Sequence, residues 1–270
     1  MHIRRRELLA LLVTGLTGCF TEETPLATST SLARDGDTFP STSETLDARR
    51  QTPIEESTSA QTATTQPVVT TSTPPVTKIE VIGREGWGAQ PAEVGVVGHT
   101  IERLTIHHTG VELRENRLAP ARLRAHQKFH QTDRGWPDLA YHFAIDRAGN
   151  IYEGRSPEFA GDTATSYDPT GHLLVVLEGN FDIEGTSEPQ LLSLAILLAW
   201  GAGFYSVGVD AIKSHRDYAE TTCPGENLYV LLQAGDIVDS VMSVLDDGPI
   251  ELRYLRGPEA VDRVADIESA

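Results

Sequence analysis

Apolar and polar positions alternate over residues 78–82 and again over 101–109, the period of two that marks strands with one face buried. In the second run the alternation sends Leu104, Ile106 and His108 to one face and Thr105 and His107 to the other. The adjacent histidines therefore cannot both point into one site, and one of them is expected as a ligand. Over 120–130 the period changes: Pro120 suits a first helical turn, and Leu123, Gln127 and His130 recur at helical spacing, as do Ala125 and Phe129. His126 and His130 lie one turn apart on this helix, where a polar face is a simpler explanation than a chelating pair. Gly135, Trp136, Pro137 and Asp138 break it, and a hairpin is expected from 141–146 and 150–155 around Arg147, Ala148 and Gly149. The apolar run 173–177 predicts a buried strand ending at Glu178. Ser187 and Gln190 form a capping box that opens a core helix through Leu191, Leu194, Ala195, Leu198 and Ala202. A strand over 211–213 follows, and Leu228, Leu232, Ile237, Val241 and Val244 predict one closing helix. Strands alternating with helices imply an α/β fold with a central mixed β-sheet flanked by helices.

The pattern lapses at both ends. Residues 1–18 carry Arg4, Arg5 and Arg6 and then a short apolar run from Leu8 to Val13, the layout of an export signal and too short to span a bilayer. Leu16, Thr17, Gly18 and Cys19 resemble a bacterial lipobox, in which the cysteine is lipidated and becomes the new N-terminus. Residues 19–77 are rich in Thr, Ser, Pro and Glu, a composition that cannot bury enough apolar surface to offset its ordering entropy. They are expected to be a disordered linker with an r.m.s. span of roughly 40 Å. The folded domain is expected over 78–247, and 248–270 reads as an acidic tail of uncertain order. This organisation implies an exported, membrane-anchored lipoprotein facing the cell wall or periplasm.

Composition narrows the partners. Of 270 residues 39 are acidic and 22 basic, a net charge of −17 that argues against nucleic acid as a partner. The chain has 2 cysteines, so lipidation of Cys19 leaves no disulfide to form. A remaining thiol in an oxidising compartment is easier to understand as a metal ligand, held deprotonated and shielded. Imidazole and thiolate both suit zinc, and His215 and Cys223 share one short excursion. His107 at a strand end, Tyr141 at the start of another strand, and His215 with Cys223 after a third can converge on one rim. Two histidines and one cysteine leave the fourth position of a tetrahedral zinc open, which is the catalytic arrangement.

From Arg84 to about Leu232 the chain resembles the zinc-dependent N-acetylmuramoyl-L-alanine amidases of the type 2 amidase and peptidoglycan recognition protein family, which includes the phage T7 lysozyme. The resemblance rests on six blocks in family order: residues 84–89, 106–109, 134–143, 150–155, 178–181, and 215–217 with 222–225. It implies that His107, His215 and Cys223 hold one zinc ion per chain, that Tyr141 lies near the reacting water, and that Thr221 occupies a catalytic position two before the cysteine. Glu178 is a further general-base candidate, against the plainer reading of a solvated turn residue. Non-catalytic family members typically lack the cysteine, which this chain keeps. The implied reaction cuts the amide bond between N-acetylmuramic acid and L-alanine in peptidoglycan. Gly135 and Trp136 correspond to a pair that goes with diaminopimelate-type stem peptides, with His108 and Arg155 also counted among substrate contacts. Two other readings compete: a non-catalytic peptidoglycan-binding lipoprotein, and a thiol hydrolase using Cys223 with His215, which lacks an evident orienting partner.

Overall fold

The computed structural model describes residues 76–270. The export signal, the Cys19 lipidation site and nearly all of the linker lie outside the described residues. In chain order the elements are β1 (Thr77–Ile82), α1 (Arg84–Trp87), β2 (Arg103–His108), α2 (Ala119–Thr132), β3 (Phe143–Ile145), β4 (Ile151–Glu153), β5 (His172–Leu177), α3 (Glu188–Tyr205), β6 (Ile212–Ser214), α4 (Glu226–Ala234), α5 (Asp236–Asp246), β7 (Ile250–Leu255) and α6 (Gly257–Ser269).

The strands form one sheet in the order β6-β2-β5-β3-β4-β1-β7. Every neighbouring pair is parallel except the hairpin β3–β4, so the sheet is mixed and helices cover both faces. Residues alternate between those faces. Leu104, Ile106, Phe143, Ile145, Val175 and Leu177 pack with Leu194 and Leu198 of α3, Leu228 of α4 and Val241 of α5. On the opposite face Ala144, Tyr152 and Val176 pack with Trp87 of α1, Leu123 of α2 and Ala260, Val264 and Ile267 of α6. Strand β5 is buried along its whole length, as its unbroken apolar run predicts.

Three expectations change in detail. The segment 248–270 is no loose tail: β7 pairs with β1 over its full length, from Thr77↔Ile250 to Ile82↔Leu255, and α6 buries Ala260, Val264 and Ile267. Its acidic residues occupy the other side of an amphipathic helix. The closing helix is two helices, because Gly235 lies between α4 and α5 with φ 91°, a left-handed turn that glycine adopts without steric cost. The capping box is half formed. Ser187 Oγ accepts from the Gln190 N–H, whereas the Gln190 side-chain amide donates to the carbonyls of Ile145 and Glu178, each at 3.1 Å. Gln190 is buried, so its amide serves the sheet rather than the helix end. No single helix among the described residues is long and apolar enough to cross a membrane.

Candidate metal centre and active site

Strands β2 and β6 run parallel with Ile106 in register with Ser214, so their carboxyl ends deliver His107 and His215 side by side, with ring centroids 4.8 Å apart. Crevices at the carboxyl ends of parallel strands are where α/β sheets bind ligands. His215 opens a short 3-10 turn, His215–Asp217, whose start is fixed by the Asp217 carboxylate. That carboxylate accepts from both the backbone N–H and the hydroxyl of Ser214 at 2.7 Å. Arg216 then ties down the loop that brings in Cys223, donating to the Thr222 carbonyl and to Glu226, each at 2.6 Å.

His107, His215 and Cys223 are all buried, and one ligand atom from each lies within 4.8 Å of the others. The Cys223 Sγ to His107 Nδ1 distance is 3.6 Å. Zinc–sulfur and zinc–nitrogen bonds of about 2.3 and 2.0 Å at a tetrahedral angle put sulfur and nitrogen roughly 3.6 Å apart, so this pair fits one ion. Burial, then the neighbouring His215, holds the His107 imidazole well below its usual range, and burial lowers His215 to about 4. Both rings are therefore neutral near pH 7, the form that binds metal. The His108 N–H donates to Cys223 Sγ at 3.4 Å, a contact suited to an electron-rich sulfur.

Tyr141 joins this set, its ring 5.2 Å from that of His107. Burial, then the adjacent Cys223, pushes its phenol well above the ordinary range, so the group keeps its proton. Thr221 Oγ1 accepts the Cys223 N–H at 3.2 Å and so belongs to the turn that carries the sulfur. Glu178 is buried on the same face of the sheet as His107, and neither carboxylate oxygen has a hydrogen-bond partner. His126 Nδ1 lies 3.6 Å from its Oε1. Glu178 is thus not the solvated turn residue of the plainer reading. His126 faces Glu178 while His130 Nδ1 accepts the Ala140 N–H at 3.1 Å, so these two histidines do not converge on one ion.

The expected substrate contacts separate. Trp136 is half-buried and connected to the centre through His130, whose ring lies 4.8 Å from Trp136 and 6.0 Å from Tyr141. Gly135 beside it is exposed, at φ 67°. His108 turns away from His107, its ring 6.1 Å from Phe181 and its Nδ1 accepting the Phe181 N–H at 3.3 Å. Arg155 is 2 % exposed and held by four hydrogen bonds to the protein. It donates to the carbonyls of Leu139, Ala160 and Asp138 and to the Asp162 carboxylate. His108 and Arg155 are thus both buried among protein partners. The sequence pattern also missed the segment Thr163, Thr165 and Tyr167, which reaches both histidines from a loop between β4 and β5. Only its density of hydroxyl groups hinted at a role. Beyond Tyr167 opens a cavity of about 390 Å³ lined by Arg103, Asp168, Thr170, His172 and Tyr218, whereas a larger one of about 480 Å³ lies against Asn116 and Ile267, away from the ligands.

Comparison with known proteins agrees with this arrangement. The model of the N-acetylmuramoyl-L-alanine amidase family matches residues 97–226. Peptidoglycan-recognition protein SC1a of Drosophila melanogaster is 33% identical over 156 residues, covering 56% of this chain and 83% of that protein. An N-acetylmuramoyl-L-alanine amidase of Sus scrofa is 34% identical over 136 residues, covering 48% of this chain and 22% of that protein. The solved structure of peptidoglycan recognition protein-LE in complex with tracheal cytotoxin, a monomeric diaminopimelic acid-type peptidoglycan, superimposes with a TM-score of 0.53 at 29% identity, covering 57% of this chain and 92% of that one. With three residues placed where they could hold a metal ion, the mixed sheet and these similarities together, the chain belongs to the type 2 amidase and peptidoglycan recognition protein family.

Proposed function

We propose that this chain is a zinc-dependent N-acetylmuramoyl-L-alanine amidase that hydrolyses the amide bond between N-acetylmuramic acid and L-alanine in peptidoglycan. The observation that carries the proposal is Cys223: its sulfur stands 3.6 Å from His107 Nδ1 and completes, with His215, a three-ligand set that a hydrolytic zinc site uses. What zinc supplies when bound is Lewis acidity, toward the amide carbonyl and toward the water that attacks it.

The residues of the chain supply the rest. Tyr141, held protonated by burial, donates its phenolic hydrogen to the oxygen that gains charge as the amide carbon becomes tetrahedral. Glu178, a buried carboxylate with both oxygens open, is the group suited to take a proton from the attacking water and return it to the departing alanine nitrogen. Thr221 holds the Cys223 backbone in place through its hydroxyl and so orients the sulfur. Trp136, reached through His130, forms the wall on which the stem peptide lies. Preference for diaminopimelate-type stem peptides is read from Gly135 and Trp136, with the Arg155 guanidinium as the candidate partner of a stem-peptide carboxylate. The anchor at Cys19 would place the domain at a membrane facing the wall.

Hydrolysis at this bond creates a free α-amino group on L-alanine. Sacculi incubated with the purified full-length protein are expected to yield stem peptides with N-terminal L-alanine, detectable by amine labelling and mass spectrometry. Sedimentation of the protein with sacculi and no new amine would identify a recognition protein without hydrolysis. Activity that survives chelators but not alkylation would identify a thiol hydrolase.

A further inference from the structure

We propose that Thr165 is a positioning residue for the metal centre, fixing the His215 tautomer so that its Nδ1 faces the ion, with Tyr167 backing His107 in the same sense. The inference rests on the metal-dependent reading above. Thr165 Oγ1 lies 2.7 Å from His215 Nε2, a strong contact by distance. It also lies 2.8 Å from Thr163 Oγ1, and Thr163 Oγ1 accepts the Thr165 backbone N–H at 3.2 Å.

The heavy atoms fit two directions for this chain, and the one in which His215 Nε2 donates is the one that leaves Nδ1 free for the ion. A threonine hydroxyl has one hydrogen to give and lone pairs to receive. Thr163 Oγ1 already acts as an acceptor toward the Thr165 backbone, and it lies where the Thr165 hydroxyl hydrogen can go as well. In that arrangement the Thr165 oxygen accepts, and the group facing it is His215 Nε2. A neutral imidazole that donates from Nε2 carries its lone pair on Nδ1, the atom free to ligate. In metal sites the partner of the non-ligating nitrogen sets ring orientation and tautomer in this way.

His107 shows the same division of its two nitrogens. Nδ1 faces the Cys223 sulfur, and the Tyr167 hydroxyl stands 3.5 Å from Nε2, at the outer limit of a hydrogen bond. The Tyr167 ring packs edge-on to His215 at 5.1 Å and stacks on Tyr218 at 5.7 Å. Tyr218 in turn lies 4.7 Å from His172, whose Nδ1 is 2.8 Å from the Thr105 hydroxyl of β2. The loop is therefore braced against the strand that carries His107, and one segment governs both imidazoles.

The test uses the full-length protein and two substitutions. Long-range proton–nitrogen NMR of the metal-free protein reads the His215 tautomer directly, and the Nε2–H form is expected. Thr165→Val, which exchanges the hydroxyl for a methyl of similar shape, and Thr165→Ser, which keeps the hydroxyl, are then titrated with zinc against a chromophoric chelator. Thr165→Val is expected to bind zinc about 10- to 100-fold more weakly than the parent, and Thr165→Ser within about threefold of it. An Nδ1–H tautomer in the parent, an unchanged zinc affinity in Thr165→Val, or equal losses in both variants would overturn the proposal. A parent protein that binds zinc but releases no stem peptide leaves this proposal standing and removes the hydrolytic one, while a parent that binds no zinc removes both.

Discussion

The proposed hydrolysis rests, at the scale of a single side chain, on Cys223. Serine in its place keeps the size but substitutes a weakly ligating hydroxyl for a thiolate. Cys223→Ser is expected to lose zinc by equilibrium dialysis and to lose stem-peptide release with it, and full zinc occupancy in this variant would dismiss the sulfur as a ligand. Tyr141→Phe separates binding from turnover. Zinc affinity should stay unchanged while turnover falls about 100-fold, the usual cost of removing one donor to a developing oxyanion. Unchanged turnover would remove Tyr141 from the mechanism. Among single residues, legibility depended on whether chain-local physics decides the role. Alternation along β2 separated His107 from His108 but left open which one faces the site, and the family blocks resolved it. The enclosure of Arg155 was not legible, because a sequence does not display three carbonyls converging from residues 138, 139 and 160 on one guanidinium. Thr165 was invisible for the same reason: its partner His215 is distant in the chain and adjacent only after folding.

At the scale of elements, Gly154 shows how the hairpin positions the site. A Cβ there would collide with the backbone carbonyl of Tyr141, because the residue just after β4 lies directly on the two residues that lead into β3. Gly154→Ala is expected to destabilise the domain and to lower turnover beyond what the stability loss explains, since backbone rather than a flexible side chain must move. Equal turnover after correction for the folded fraction would show that Tyr141 tolerates the shift. The segment after Asp247 offers a second test. Leu255, Ala260, Val264 and Ile267 cover Ile82, Trp87 and Leu123, and burial of a large apolar side chain contributes about 1.5–3 kcal/mol. A chain ending at Asp247 should therefore unfold at a temperature lower by roughly 10 °C or more, whereas a dispensable tail would leave it unchanged. Helical spacing of 260, 264 and 267 is present in the sequence, but three short apolar positions among acidic residues do not by themselves show a buried face. Strands β1, β2 and β5 and helices α2 and α3 were legible because period and capping are local properties. The pairing of β7 with β1 was not, because it joins the two ends of the domain.

Among the described residues of the whole molecule, six buried histidines have imidazoles held below the ordinary value of about 6.5, each chiefly by burial. His108, His172 and His215 lie at about 4, and His130 and His142 at about 3. Between about pH 6.5 and about 4 the unfolded chain binds protons that the folded chain refuses, so stability falls as pH drops through that window and is flat above it. Each histidine contributes a slope of at most ~1.4 kcal/mol per pH unit. Urea unfolding of the metal-free protein at pH 7.5, 6.0 and 5.0 should show a progressive loss, and a pH-independent midpoint would contradict the buried neutral state of these rings.

The most direct test of hydrolysis at a metal centre follows metal content and chemistry on one preparation. The full-length protein is assayed for bound zinc and for release of stem peptides bearing free N-terminal L-alanine, before chelation, after chelation, and after zinc is restored. One zinc per chain, with release that disappears and returns in proportion to that zinc, is the result predicted from His107, His215 and Cys223. Peptide release that persists at full rate in the zinc-free protein, or a zinc-loaded protein that binds sacculi and releases nothing, would contradict it.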